Sequence, residues 1–221
     1  MRDRVAVFRH YQDANLVTRF LVAARPLICP IEPILSWVPE DADILDIGCG
    51  VGLFSMHLAT MVKPKRISGF DTNGNAVAVA QAAAKRLKDV SDVDISFSTT
   101  RDFSEWPTDL FDVVCMIDVA HHVPRRLWNT LYQSAAARVR DGGLLLYKDM
   151  AADPWWCGLG NRLHDLILAQ QWIDYCPLSF VRAELVWAGM TPIYYKEWRK
   201  YWYMHQFIVF KKERTEETRS L

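Results

Sequence analysis

The sequence predicts an α/β fold built on a doubly wound, mostly parallel sheet, and three observations predict it. Residues 44–58 pass from a short apolar strand through a glycine turn directly into a helix. From there to about residue 150, apolar runs of strand length alternate with helical stretches, the order that produces right-handed parallel crossovers. Two alternating segments, 191–198 and 202–211, then follow as a pair of strands.

The N-terminal arm comes first. Residues 11–24 carry apolar side chains at positions 16, 17, 20, 21 and 24, a helical spacing expected to bury one face. Pro26, Pro30 and Pro33 punctuate the next piece, and Ile34–Val38 reads as a short helix ending before Pro39. Arg9, His10 and Tyr11 are either ligand contacts or exposed arm residues.

The core alternates regularly. Ile44, Leu45 and Ile47 form the first strand, and a helix follows over about 51–62. Arg66–Asp71 is the second strand, with an acid at its end, and the alanine-rich run Asn75–Lys88 is helical. Val93–Phe97 alternates as a third strand. Phe111–Asp118 is a fourth, with the mixed apolar run of a strand covered on both faces. Arg125–Arg140 is expected to be one helix, stopped by Asp141-Gly142-Gly143 ahead of a fifth strand at Leu144–Tyr147.

After residue 150 the character changes, for six of the nine tryptophans lie beyond it. Residues 151–177 are too long for a structureless loop and are expected to carry a helix near 160–173. Ser179–Ala188 is another helix closed by Gly189, and residues 212–221 read as a frayed end. The whole is expected to be a single domain over 1–221. It comprises an arm (1–40), a core (41–150), a lid-like insertion (151–177), and a final helix with an edge hairpin (178–211).

Composition excludes several classes. Lys+Arg and Asp+Glu both number 26 in 221 residues, so no overall field draws the chain to nucleic acid or anionic membrane. The five scattered cysteines lack any C-x-x-C pair, which argues against a disulfide framework or zinc cluster and fits a reducing cytoplasm. The first residues show no signal-type apolar region, and no apolar run has the length of a transmembrane segment.

The turn after the first strand carries the chemistry. Gly48, Gly50 and Gly52 stand at alternate positions, G-x-G-x-G rather than the dinucleotide spacing G-x-G-x-x-G. Asp46 precedes them by two residues, where a carboxylate repels a pyrophosphate but pairs with an ammonium group. The ligand these features favour is a nucleoside bearing a cationic amino acid. The run Asp46-Ile-Gly-Cys-Gly-Val-Gly52 resembles the first motif of class I S-adenosylmethionine-dependent methyltransferases.

That resemblance implies a Rossmann-like, seven-stranded sheet with an antiparallel C-terminal hairpin, and a helical arm that covers the cofactor. The implied cofactor is S-adenosylmethionine, leaving as S-adenosylhomocysteine, held by Asp46, Gly48, Cys49, Gly50 and Gly52. Asp71 would accept both ribose hydroxyls, or alternatively cap the next helix. Thr72 and Asn73 would flank the adenosine. Asp102 is assigned to adenine, with loop capping as its alternative, because Thr-Thr-Arg stands where relatives place small residues.

Asp118-Val-Ala-His-His-Val-Pro124 resembles the fourth-strand motif of small-molecule members of this class. It implies that Asp118 or neighbouring carbonyls line the cofactor, that His121 faces the substrate, and that His122 ties the following loop. Adjacent histidines diverge and find no third ligand at helical or strand spacing, so no metal is expected. His164, in the insertion, is either a general base or part of a solvated helix face.

The expected activity is metal-independent methyl transfer to O, N or C of a small, apolar or aromatic acceptor. A non-catalytic cofactor-binding regulator and a nucleic-acid methyltransferase are the alternatives. The aromatic and basic run Tyr194–Tyr203 superficially suits nucleic acid, but strand alternation explains it as a sheet edge or pocket rim.

Overall fold

The computed structural model describes residues 7–29, 31–151, 174–201 and 203–214. Its seven strands are β1 (Asp43–Ile47), β2 (Arg66–Asp71), β3 (Asp94–Thr99), β4 (Phe111–Ile117), β5 (Val139–Met150), β6 (Met190–Lys200) and β7 (Tyr203–Lys212). They form one sheet of order β3-β2-β1-β4-β5-β7-β6. The pairs β1–β2, β2–β3 and β4–β5 are parallel, while β7 runs antiparallel to both β5 and β6. The expected α/β class and terminal hairpin are borne out. The chain divides into two compact units, Met1–Trp106 and Pro107–Leu221.

In the first unit, β1 is buried from Ile44 to Ile47, as a central strand covered on both faces must be. Helices α3 (Leu53–Met61) and α4 (Gly74–Leu87) follow β1 and β2. Asn73 caps α4, its side chain accepting from the Asn75 and Ala76 N–H groups. Val77, Ala80, Ala83, Ala84 and Leu87 form its buried face.

The arm differs from expectation. Its helix, α1 (Leu16–Ile28), starts later, capped by Asn15, and its backbone continues through Pro26. The stripe at Leu16, Val17, Phe20 and Leu21 is exposed, and Val22 is buried instead. Periodicity shows that a helix has an apolar stripe but not which side the fold covers. A short helix, α2 (Glu32–Leu35), completes the arm.

In the second unit the stretch 125–140 is not one helix. A 3₁₀ turn at Arg125–Leu127 leads into α5 (Trp128–Ala137), which ends when the Arg138 N–H bonds back to Ala135 and Ala136. The Arg138 carbonyl then accepts the Phe111 N–H at 2.8 Å, and the chain enters β5. Asp141-Gly142-Gly143 therefore lies inside a strand, where the register slips between Phe111 and Val113. Gly142 has φ +77°, and a Cβ on Gly143 would sit 2.8 Å from two carbonyl oxygens. These glycines serve a bulge, not a helix stop.

Helix α6 (Leu178–Trp187) ends with Gly189 at φ +80°, as its sequence predicts. Strand β6 is the sheet edge, and the alternation of Tyr194–Lys200 follows from it. Tyr194 and Trp198 pack on Phe207, while Lys196, Glu197 and Arg199 are exposed along this edge and discourage further pairing. The insertion helix and His164 lie outside the described residues. Among the described residues no helix is long and apolar enough to cross a membrane.

Candidate functional site

The first unit holds the glycine loop. Gly48, Gly50 and Gly52 all have positive φ (+69°, +53° and +77°), which a side chain resists. They nevertheless do different work. A Cβ on Gly52 would lie 2.9 Å from Ala80 Cβ and from the Phe97 ring, so Gly52 lets α3 pack on its neighbours. A Cβ on Gly50 would meet nothing within 4 Å. No packing explains that glycine, and its bare face is open to a ligand. Gly52 is also the N-cap of α3 without any side-chain cap, a helix start suited to a polar ligand group.

The loop is clasped from β2. The Cys49 N–H donates to the Phe70 carbonyl at 3.0 Å, and the Gly50 N–H donates to Asp71 Oδ2 at 2.8 Å. Asp71 Oδ1 accepts the Asn73 N–H at 2.8 Å. The helix-cap alternative thus belongs to Asn73. Asp71 is half-buried, and each of its oxygens keeps a second lone pair for a hydroxyl donor. The Cys49 side chain is buried, and burial followed by the nearby Asp46 pushes its thiol pKa up. What Cys49 offers a ligand is therefore backbone.

Asp46 lies beneath the loop, 2% exposed, accepting the Ser55 hydroxyl at 2.5 Å. Burial raises its pKa to about 7, against the lowering effect of Ser55 and with a further rise from Asp71. A buried carboxylate so poised gains from a nearby cation. Tyr11 is not an exposed arm residue. It is buried, and its hydroxyl donates to the Val51 carbonyl at 3.0 Å, which fastens the arm to the loop. Arg86 donates to the His10 carbonyl and pairs with Asp13, tying the same turn to α4, whereas Arg9 is exposed.

Thr72 is exposed at the turn after β2. Asp102 is exposed and caps the turn Phe103–Glu105 through the Ser104 N–H at 2.8 Å, which lowers its pKa. That is the capping geometry the sequence left open.

The second unit gathers the other candidates. Asp118 follows β4 with φ +58°, an unusual conformation for a residue with a side chain. Its carboxylate receives the fully buried Lys148 ammonium at 2.6 Å. His121 is 5% exposed, and its Nδ1 lies 2.5 Å from Asp149 Oδ1. The His122 ring lies against it, tilted by 46° with the centroids 4.0 Å apart, and the His122 side chain itself is exposed. Tyr132, Tyr147 and Cys176 are buried close by, and burial, with the charge of Asp149 contributing, pushes all three pKa values up, Cys176 to about 12. The phenols and the thiol therefore stay protonated near neutral pH.

Lys148 and Asp149 were not anticipated. The available signal was a charged pair directly after the apolar run Leu144–Tyr147, at the same strand end as Asp118. Among the described residues no three His, Cys, Asp or Glu side chains form a metal-binding group.

Residues 44–143 match a protein family described as "Methyltransferase domain". The chain is 27% identical over 125 residues to the ubiquinone biosynthesis O-methyltransferase of Pseudomonas syringae pv. tomato, covering 54% of this chain and 51% of that protein. It is 29% identical over 175 residues to the enzyme of the same name from Paramagnetospirillum magneticum, covering 79% and 59%. The chain thus spans about half the length of the curated relatives it matches. Its fold is shared with magnesium protoporphyrin IX methyltransferase from Synechocystis PCC 6803 with bound S-adenosylhomocysteine. The TM-score is 0.69 at 18% identity, over 93% of this chain and 91% of that one.

Proposed function

We propose, from the premise that this chain carries a class I S-adenosylmethionine-dependent methyltransferase domain, that it methylates an oxygen of a small acceptor. The observation that carries the reading is the glycine loop, bare at Gly50 and clasped by Asp71 at the end of the neighbouring strand. When bound, S-adenosylmethionine supplies a methyl group already activated on a sulfonium. The residues that would hold it are the backbone of Gly48–Gly52, Asp46 facing its cationic part, Asp71 and Thr72 at the ribose, and Asp102 at the adenine. Asp118 would add backbone at the methionine end, its carboxylate being paired with Lys148.

The protein then has two tasks, to orient the acceptor and to remove its proton. His121 is the base we assign among the described residues, and His164 is the candidate in the insertion. Oxygen is favoured as the nucleophile because the relatives named above are O-methyltransferases. The tryptophan-rich segment 151–177 supports an apolar or aromatic acceptor and a lid that selects it.

Asp71→Ala tests the site. It removes the acceptor for the Gly50 N–H as well as for the ribose, and is expected to weaken S-adenosylhomocysteine binding by about 10²-fold in calorimetry, with the fold retained. Unchanged affinity would remove Asp71 from the site. Turnover, read as S-adenosylhomocysteine release over a panel of phenolic and carboxylic acceptors, separates an enzyme from a non-catalytic binder. With an acceptor in hand, EDTA is expected to leave the rate unchanged. A loss restored by one divalent ion would show a metal site.

A further inference from the structure

We infer that Asp149 is the positioning residue of a His121–Asp149 dyad, holding His121 with its proton on Nδ1 so that Nε2 takes the proton of an acceptor hydroxyl. The inference rests on the methyl-transfer reading. Asp149 Oδ1 lies 2.5 Å from His121 Nδ1, and both side chains are almost wholly buried. An ionised carboxylate only accepts, so Nδ1 must donate, and the ring exchanges protons with an acceptor through Nε2. Asp149 Oδ1 also accepts the Met150 N–H at 2.7 Å, which fixes the carboxylate to the strand. Its other oxygen, Oδ2, is buried and has no hydrogen-bond partner among the described residues. A carboxylate left so poorly compensated gains most when His121 becomes an imidazolium.

The surrounding groups favour the same arrangement. The Asp174 N–H donates to the His121 carbonyl at 3.3 Å, holding the backbone of the turn. Charged and titratable neighbours are the tilted His122 ring at 4.0 Å, the Asp118–Lys148 pair on the adjoining strand ends, and Asp174. Tyr132 from α5, Tyr147 from β5 and Cys176 before α6 sit around Asp149 and remain neutral. Lys148 has its carboxylate in Asp118 at 2.6 Å, an arrangement that directs it away from quenching Asp149. In the balanced step the hydroxyl proton passes to Nε2 and the oxygen bonds the methyl group. The broken S–CH3 bond leaves its electron pair on the former sulfonium as a neutral thioether, and the imidazolium later gives its proton to water.

The test begins on the cofactor-free protein, by ¹⁵N NMR of the histidine rings with His121 assigned through His121→Gln. The expected result at neutral pH is a protonated Nδ1 and an unprotonated Nε2. Asp149→Asn, whose fold is checked by circular dichroism, should lower the His121 pKa by about one pH unit or more. In turnover it should cut kcat by roughly 10²-fold with KM little changed, and Asp149→Glu should recover part of the loss. The proton on Nε2 in the unaltered protein, or a His121 pKa or kcat indifferent to Asp149→Asn, would overturn the inference. Failure of the underlying reading looks different, since S-adenosylhomocysteine would then not form with any acceptor while the ring retained its Nδ1 proton.

Discussion

Gly50→Val is expected to remove measurable S-adenosylhomocysteine binding while the protein stays folded. The valine Cβ enters open space, so the folded chain loses little packing. The backbone at φ +53° strains a β-branched residue, and the side chain fills the face where the ligand must approach. The strain costs the fold about 1–2 kcal/mol, whereas the obstruction costs binding about 3 kcal/mol or more, roughly a 10²-fold loss. Gly52→Ala, two residues on, should do the reverse. Its methyl would lie 2.9 Å from both Ala80 Cβ and the Phe97 ring, so the cost falls on the fold, about 2–4 kcal/mol. Calorimetry with S-adenosylhomocysteine and thermal unfolding on the same two variants separate the outcomes. Equal loss of stability in both would show that Gly50 is a packing residue after all.

Asp46 should make stability and ligand affinity depend on pH in opposite senses. Its pKa in the folded chain is raised from 3.8 to about 7, chiefly by burial. A carboxylate raised in this way favours the folded state fully below about pH 4, and that contribution fades as pH rises towards 7. At about 1.4 kcal/mol per pH unit, the whole change is about 4 kcal/mol in the ligand-free protein. Asp46→Asn keeps an acceptor for the Ser55 hydroxyl and carries no charge, so its stability should not fall over pH 4–7. Denaturation midpoints of both proteins across that range check this, and parallel curves would refute it. Binding of the cationic ligand pulls the Asp46 pKa down, so affinity should rise from pH 6 to 8 with release of a proton. Calorimetry in buffers of different ionisation enthalpy reads that proton directly. Asp46→Asn should bind weakly and release none.

The fold was largely legible because its signals are local. Asn75–Lys88 shows its helix through alanine content and spacing, and β1, β2 and β4 show themselves as apolar runs bounded by acids and glycines. Where the reading went wrong, a local signal had two meanings. Asp141-Gly142-Gly143 looks like a helix stop, yet the same residues make a bulge once β5 extends back to Val139 to pair with Phe111. Leu16, Val17, Phe20 and Leu21 form an apolar stripe in either case, but only the packing of the arm leaves that stripe exposed. Tyr11 looked like a surface residue because nothing nearby in sequence tells it that Val51 will lie above its hydroxyl.

By itself the sequence determined the α/β class, the order of its elements, the glycine loop and the resemblance of its first motif to methyltransferases, because positive φ, side-chain periodicity and a two-residue offset of an acid are properties of consecutive residues. Only the tertiary structure decided what the polar side chains do. Asp71 fastens Gly50 from 21 positions away, Asp149 meets His121 across 28, and Lys148 reaches Asp118 across 30. Each pair joins separate elements that the sheet and its crossovers fold together, and buried charges must find partners wherever that folding leaves them.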